Sequence, residues 1–154
     1  MEVLVMKKCA ALGMVFVLLA ACAGTPRMSD EERLAHYRAY AGDPVDRFTQ
    51  LRIDNWESLD SNKLVLWNGR SEAYLLTVWD TCADLRQAQT ITVISTSAQT
   101  VTVFDKIKVL KDPRFGPMMT GLDTCPIREI RPIDVQQMRA DDEAAKKQRA
   151  ADGR

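Results

Sequence analysis

His36 is the only histidine among the 154 residues, and histidine is the side chain best suited to moving protons near neutral pH. A Ser/His/Asp triad would have to bring this one imidazole, beside Tyr37 on a helical segment, to partners elsewhere in the chain, and a zinc site of several histidines cannot be built at all. The simpler reading of His36 is a position on a helix surface, because a histidine without a motif partner carries little functional weight. Carboxylates come next. Asp80, Asp84 and Asp105 fall near strand ends, where two could face each other as acid and base, or could accept hydrogen bonds from backbone amides in turns and caps. The turn reading is favoured, and no residue is assigned as catalytic. The aromatic residues suggest binding instead. Trp56, Trp67, Tyr74 and Trp79 lie in or beside three successive strands, and an exposed row of such rings would stack on a glycan or meet a protein partner. Trp67, Trp79 and Tyr74 form the candidate binding surface; core packing is the competing role, and Trp67 and Trp79, at strand ends, are the best placed for exposure.

Where such a surface would work is decided by the first residues. Lys7 and Lys8 precede the 15-residue apolar run "CAALGMVFVLLAACA", which is shorter than the roughly 20 residues that span a bilayer core. A basic stretch, a short apolar stretch and small residues make the three-part layout of a secretory signal. Met6, directly before the lysines, offers an alternative translation start to Met1. The run ends in "LAAC" (Leu19, Ala20, Ala21, Cys22), which resembles the lipobox of bacterial lipoproteins. That resemblance implies removal of residues 1–21, lipid on the Cys22 sulfur and acylation of the new amino terminus. Several acyl chains, at about 0.8 kcal/mol per buried methylene, make a lasting anchor. Ala23 follows Cys22 in place of aspartate, which by the same resemblance favours transfer to the outer membrane.

Cleavage also simplifies charge and cysteine chemistry. The 21 basic and 21 acidic residues of the chain become 19 and 20 once Lys7, Lys8 and Glu2 are removed, so no basic field for nucleic acid remains. Cys9 leaves with the signal and Cys22 carries lipid. Cys82 and Cys125 are then the pair left in an oxidising compartment, and they are expected to form a disulfide. Closing a loop of about 43 residues stabilises by roughly 4 kcal/mol on the chain-entropy model. A redox-active pair is disfavoured because the two are not in a CxxC arrangement.

The elements that must position these residues follow from pattern. "SDEERLAHYRAYAG" predicts a helix with Ser29 as N-cap, Glu32 completing a capping box and Gly42 as the stop, and Leu34, Tyr37 and Ala41 on one face. From Phe48 to Ile133 the signal is extended. "FTQLRIDNW", "KLVLW", "EAYLLTVW", "TITVIS", "TVTVFDKIKV" and "CPIREIRPI" predict about six strands, with hairpin turns at "NGRS" and "SAQ". One helical turn is expected within 83–88, and "KDPRFGPMMTGLD" reads as a loop pinned at its far end by Cys125. Asp134 is the expected N-cap of a second helix, with Ile133, Gln137 and Met138 completing a staple and capping box. Asp142 with Lys146 and Glu143 with Lys147 would support that helix, whose tail lacks an apolar stripe and is solvated.

In this order, "AGDPVDRF", "NWESLD", "LVLW", "SEAYLLTVWDTCADL", "FDKIKV" and "CPIREIRPID" resemble a family of uncharacterised Gram-negative lipoproteins, a domain of unknown function. The resemblance covers about residues 30 to 140 and is most specific in the paired cysteines and the closing "IREIRPID". It implies a periplasm-facing lipoprotein domain with one disulfide and brings no catalytic residue with it.

The expectation is therefore a mainly β protein: a small antiparallel sheet of about six strands curled into a barrel or sandwich, with an N-terminal helix and a C-terminal helical tail. Residues 1–21 are a lipoprotein signal, 22–28 a tether, 29–134 one globular domain and 135–154 a charged helical or disordered tail. The expected function is that of a lipid-anchored envelope protein facing the periplasm, a binding or scaffold module with no metal or cofactor, whose partner is an envelope protein or glycan. The alternative is a carboxylate-dependent hydrolase or a glycan-binding module acting on cell-envelope material.

Overall fold

The computed structural model describes residues 28–49, 52–79, 82, 85–110 and 124–153. The signal segment, Cys22, Asp80, Asp84 and the loop expected over 111–123 lie outside the described residues. The chain is mainly β, and its described residues form eight strands in two antiparallel sheets and two helices. Helix α1 (Asp30–Ala39) leads into β1 (Arg47–Thr49), β2 (Ile53–Ser58), β3 (Lys63–Asn68) and β4 (Ala73–Val78). A 3-10 turn (Leu85–Gln87) precedes β5 (Thr90–Ile94), β6 (Thr100–Thr102), β7 (Lys106–Leu110), β8 (Thr124–Ile133) and helix α2 (Val135–Asp152).

Six strands form one sheet in the order β2-β3-β4-β8-β7-β5, every neighbour antiparallel. This sheet curls because β8 serves two partners: residues 124–126 pair with β7 and residues 127–133 with β4. Where β7 leaves β8, Ala41 and Val45 take its place through isolated bridges to Ile133 and Ile130. The two open edges, β2 and β5, line opposite sides of a shallow groove containing Ile53, Trp56, Ile91 and Val93, which leaves the sheet nearly barrel-shaped.

Burial explains why β3 and β4 read as continuous apolar runs. Leu64, Leu66, Leu76 and Val78 face an inner core with Phe48, Val101, Ile107, Ile127 and Ile130. Val65, Ala73 and Leu75, one residue out of phase, face a second core with Leu59, Ile133, Val135 and Met138, against which Leu34 and Tyr37 of α1 pack. Strands covered on both faces lose the alternation of a half-exposed sheet. Each fully buried leucine contributes about 1.5–3 kcal/mol relative to exposure.

Two predicted strands are each divided. "FTQLRIDNW" yields β1 and β2, and "TVTVFDKIKV" yields β6 and β7; β1 and β6 then pair as a separate two-stranded sheet. The expected "SAQ" hairpin is displaced accordingly, for β5 pairs with β7, from Thr90 opposite Leu110 to Ile94 opposite Lys106. Asp105 is the physical cause. Its buried carboxylate accepts from the Thr102 N–H (2.7 Å), the Thr102 hydroxyl (3.0 Å), the Ser95 hydroxyl (3.0 Å) and, more weakly, the Thr96 N–H (3.4 Å). The excursion through β6 is thus tied at both ends to one side chain. The "NGRS" turn forms as expected, with Gly69 at φ +79°, a left-handed conformation that other residues rarely adopt.

Ser29 and Glu32 make the predicted capping box. Helix α1 ends at Ala39 rather than at Gly42, because Gly42 donates its N–H to the Pro132 carbonyl (2.8 Å) and the chain has already joined the edge of β8. Asp134 caps α2 through the Gln137 N–H (2.9 Å). Val135 and Met138 are buried, whereas residues 143–153 are exposed. Asp142, expected to pair with Lys146, lies 3.7 Å from the His36 imidazole. No helix among the described residues is long and apolar enough to cross a membrane.

Candidate functional site

A cavity of about 500 Å³ opens on the outer face of the sheet, beside the end of α1. Strand register assembles its floor. Lys63 of β3, Thr77 of β4 and Glu129 of β8 stand in one cross-strand row, and Leu75 and Arg131 occupy the next. Side chains opposite one another on adjacent strands have Cβ atoms about 4.5–5.5 Å apart, so the row from Lys63 to Glu129 spans roughly 10 Å. Arg38 and Ala41, from α1 and the residues after it, Asn62 and Arg128 complete the wall.

Arg128 reaches this wall through an irregularity. Thr77 pairs with Glu129 but Val78 pairs with Ile127, leaving Arg128 without a partner on β4. Such a bulge turns two consecutive side chains to one face and re-aims them. Ile127 and Ile130 stay in the inner core while Arg128, Glu129 and Arg131 all line the outer cavity.

Four cations and one carboxylate meet here. Glu129 is engaged by Arg131 (2.7 Å), whose guanidinium also donates to the Gly42 carbonyl (3.1 Å); the hydrogen bond to Glu129 raises the Arg131 pKa further. Lys63 donates to the Asn62 side chain (2.7 Å) and lies 3.5 Å from Asp60 outside the cavity. Hydrogen bonds from Ser61, opposed by burial, together with the Lys63 charge hold the Asp60 carboxyl below its ordinary value. Arg38 and Arg128 have no carboxylate at ion-pair distance among the described residues. Arg128 instead lies 5.0 Å over the Trp79 ring.

The three aromatic residues of the expected binding surface do not form one row. Trp79 is 54% exposed and adjoins the cavity through Arg128. Trp67 is half-buried against the second core, with Arg139 of α2 5.8 Å above its ring. It pairs with Ala73, so it stands about 20 Å along the strand from Trp79 at roughly 3.3 Å per residue. Tyr74 faces inward and stacks on Phe48 at 4.0 Å; burial, then the nearby Glu72 charge, raises its pKa. Trp56 packs against the inner core.

His36 lies in the contact between α1 and α2, edge-on to Tyr37 and Tyr40. Beneath it, Arg33 binds Glu57 and Asp30, and Tyr37 donates to Glu57 (2.8 Å). Burial first, then that hydrogen bond, raises the Tyr37 pKa. Asp105 behaves as an acceptor within its turn: burial pushes its pKa up, but the hydrogen bonds from Thr102, Ser95 and Thr96 prevail and hold it below the ordinary value. This is the turn role favoured from sequence; the alternative, a carboxylate pair with Asp80 or Asp84, involves residues outside the described ones. Cys82 and Cys125 are joined in a disulfide, with α-carbons 5.9 Å apart and both residues buried.

The cationic cavity was not anticipated from sequence, because its members come from α1, the turn before β3, β3, β4 and β8. One signal was present. In "IREIR" the isoleucines are three apart, which breaks the period of two and marks a bulge that places arginines side by side.

With the fold and this cavity established, comparison assigns a class. The chain matches the model of a family of unknown function (DUF6491) over residues 6–149, and it belongs to that family. No curated protein and no solved structure matches it.

Proposed function

We propose that the protein is a lipid-anchored envelope protein, held in the outer membrane through Cys22 and facing the periplasm, where it acts as a binding or scaffold module. The address rests on "LAAC" at the end of an apolar run too short to span a bilayer. The binding role rests on the open polar cavity, whose Arg38 and Arg128 have no carboxylate partner among the described residues and whose margin carries the exposed Trp79. A glycan-binding reading is favoured by Trp79 in particular, since an exposed indole presents a face on which a sugar ring stacks. An envelope protein docking on the same surface is the scaffold form of the proposal.

Expression with labelled palmitate tests the address. Label should enter the wild-type protein and not Cys22→Ala, and intact mass should show loss of residues 1–21 plus acyl chains. Unlabelled wild-type protein that begins before residue 22 would overturn the lipid anchor.

A further inference from the structure

We infer that the cavity lined by Arg38, Lys63, Thr77, Arg128 and Arg131 is a binding site for the phosphate ester of a sugar or polyol. The inference rests on the binding-module reading and is independent of lipid at Cys22.

Charge selects the anion. Glu129 satisfies Arg131, and Asp60 offsets part of the Lys63 charge from outside, whereas Arg38 and Arg128 bring guanidinium forks with no carboxylate opposite them among the described residues. A carboxylate carries one charge and is satisfied by one arginine, as Glu129 is. A phosphate monoester carries about 1.5–2 negative charges and three strong acceptor oxygens, which suits two free guanidiniums and a lysine converging from a helix and two strands. Planar guanidinium forks match phosphate geometry in bidentate fashion. Arg128 can engage it while keeping its face on Trp79, because the cation–π contact uses the plane of the group and hydrogen bonds use its edge.

Size and lining select the ester. A cavity of about 500 Å³ is in the range of small-molecule sites and holds more than a bare ion. Asn62 and Thr77 add an amide and a hydroxyl able to bond ring hydroxyls, while Leu75 and Ala41 offer an apolar surface to the C–H face of a ring. The free ester and the same group borne on a lipid share this chemistry.

The test uses the full chain in detergent, with Cys22→Ser prepared in parallel so that an anchor defect is separated from a pocket defect. Glucose 1-phosphate is titrated by calorimetry at low salt, and vesicles containing phosphatidylinositol 4-phosphate, whose headgroup is a phosphate monoester on a polyol ring, in phosphatidylcholine are offered to the Cys22→Ser protein in flotation. Saturable binding of the sugar phosphate, weakened by salt and not competed by glucose, is expected. Arg38→Gln and Arg128→Gln should each weaken it about tenfold, equivalent to about 1.4 kcal/mol, with unfolding midpoints unchanged. Arginine-dependent binding of glucose 1-phosphate alone supports the site with a soluble ligand, and arginine-dependent flotation alone supports it with a lipid headgroup. Binding of neither probe, or wild-type affinity in both glutamine variants, overturns the proposal.

Discussion

Replacing Asp105 by alanine should destabilise the protein by about 3 kcal/mol at pH 7. Its carboxylate accepts two short hydrogen bonds from Thr102, one from the Ser95 hydroxyl and a longer one from the Thr96 N–H. Hydrogen bonds to a charged group contribute about 1.5–3 kcal/mol each when measured singly, and orphaned donors cost about 1–3 kcal/mol. The sum is not reached, because Thr96, Ser97 and Phe104 are exposed and water can reach part of the vacated turn. Asp105→Asn, which keeps one acceptor oxygen, should lose roughly half as much. The pH dependence supplies a second check. Because the folded-state pKa lies below its ordinary value, the ionised group stabilises fully above the unfolded value of about 3.9, and that contribution is lost as pH falls through the folded value. Urea denaturation of wild type and Asp105→Asn, compared at pH 7 and near pH 3, should therefore show a gap that narrows on acidification. A loss below about 1 kcal/mol for the alanine variant, or a gap that does not narrow, would refute the assignment of Asp105 as the tie that holds β6 away from the β5–β7 pair.

Two further outcomes follow from burial and connectivity. Cys82→Ser and Cys125→Ser should each destabilise by up to about 4 kcal/mol, for a bridge closing a separation of 43 residues; the double variant should be no worse than either, and additive losses in denaturation would count against one shared bond. Leu66→Ala, at a fully buried inner position, should cost about 2–5 kcal/mol, whereas Trp79→Ala should shift the unfolding free energy by less than about 1 kcal/mol while impairing ligand capture; equal losses at the two sites would show that Trp79 is part of the core.

Local chemistry was legible where it acted alone. Ser29 with Glu32, Asp134 with Gln137 and Gly69 in its turn each satisfy backbone groups within a few residues, and the sequence names all three. The strand content was legible too, because "KLVLW" and "AYLLTV" carry the branched and aromatic residues of a buried sheet. What escaped was the division of two long strands. "TVTVFDKIKV" keeps Val101, Val103, Ile107 and Val109 in one phase; Phe104 and Asp105 interrupt the alternation, but nothing within the stretch announces that Asp105 will collect donors from Ser95 and Thr96, which lie ten and nine residues upstream.

The cavity shows the same limit at greater range, and also why part of it was visible. Arg38 and Lys63 belong to an exposed helix end and a strand start, positions where a cation ordinarily needs no explanation, so neither draws notice alone. They become neighbours only because α1 packs Leu34 and Tyr37 onto the outer core and thereby sets its C-terminal end beside the Lys63–Thr77–Glu129 row. Arg128 is different. A strand that keeps Ile127 and Ile130 in one core must absorb an extra residue between them, and the residue absorbed is forced onto the face already holding Glu129 and Arg131. The positive charge of the site is therefore a consequence of apolar spacing: the bulge required to bury both isoleucines turns Arg128 onto the face where Glu129 is already bound to Arg131, and leaves its guanidinium available.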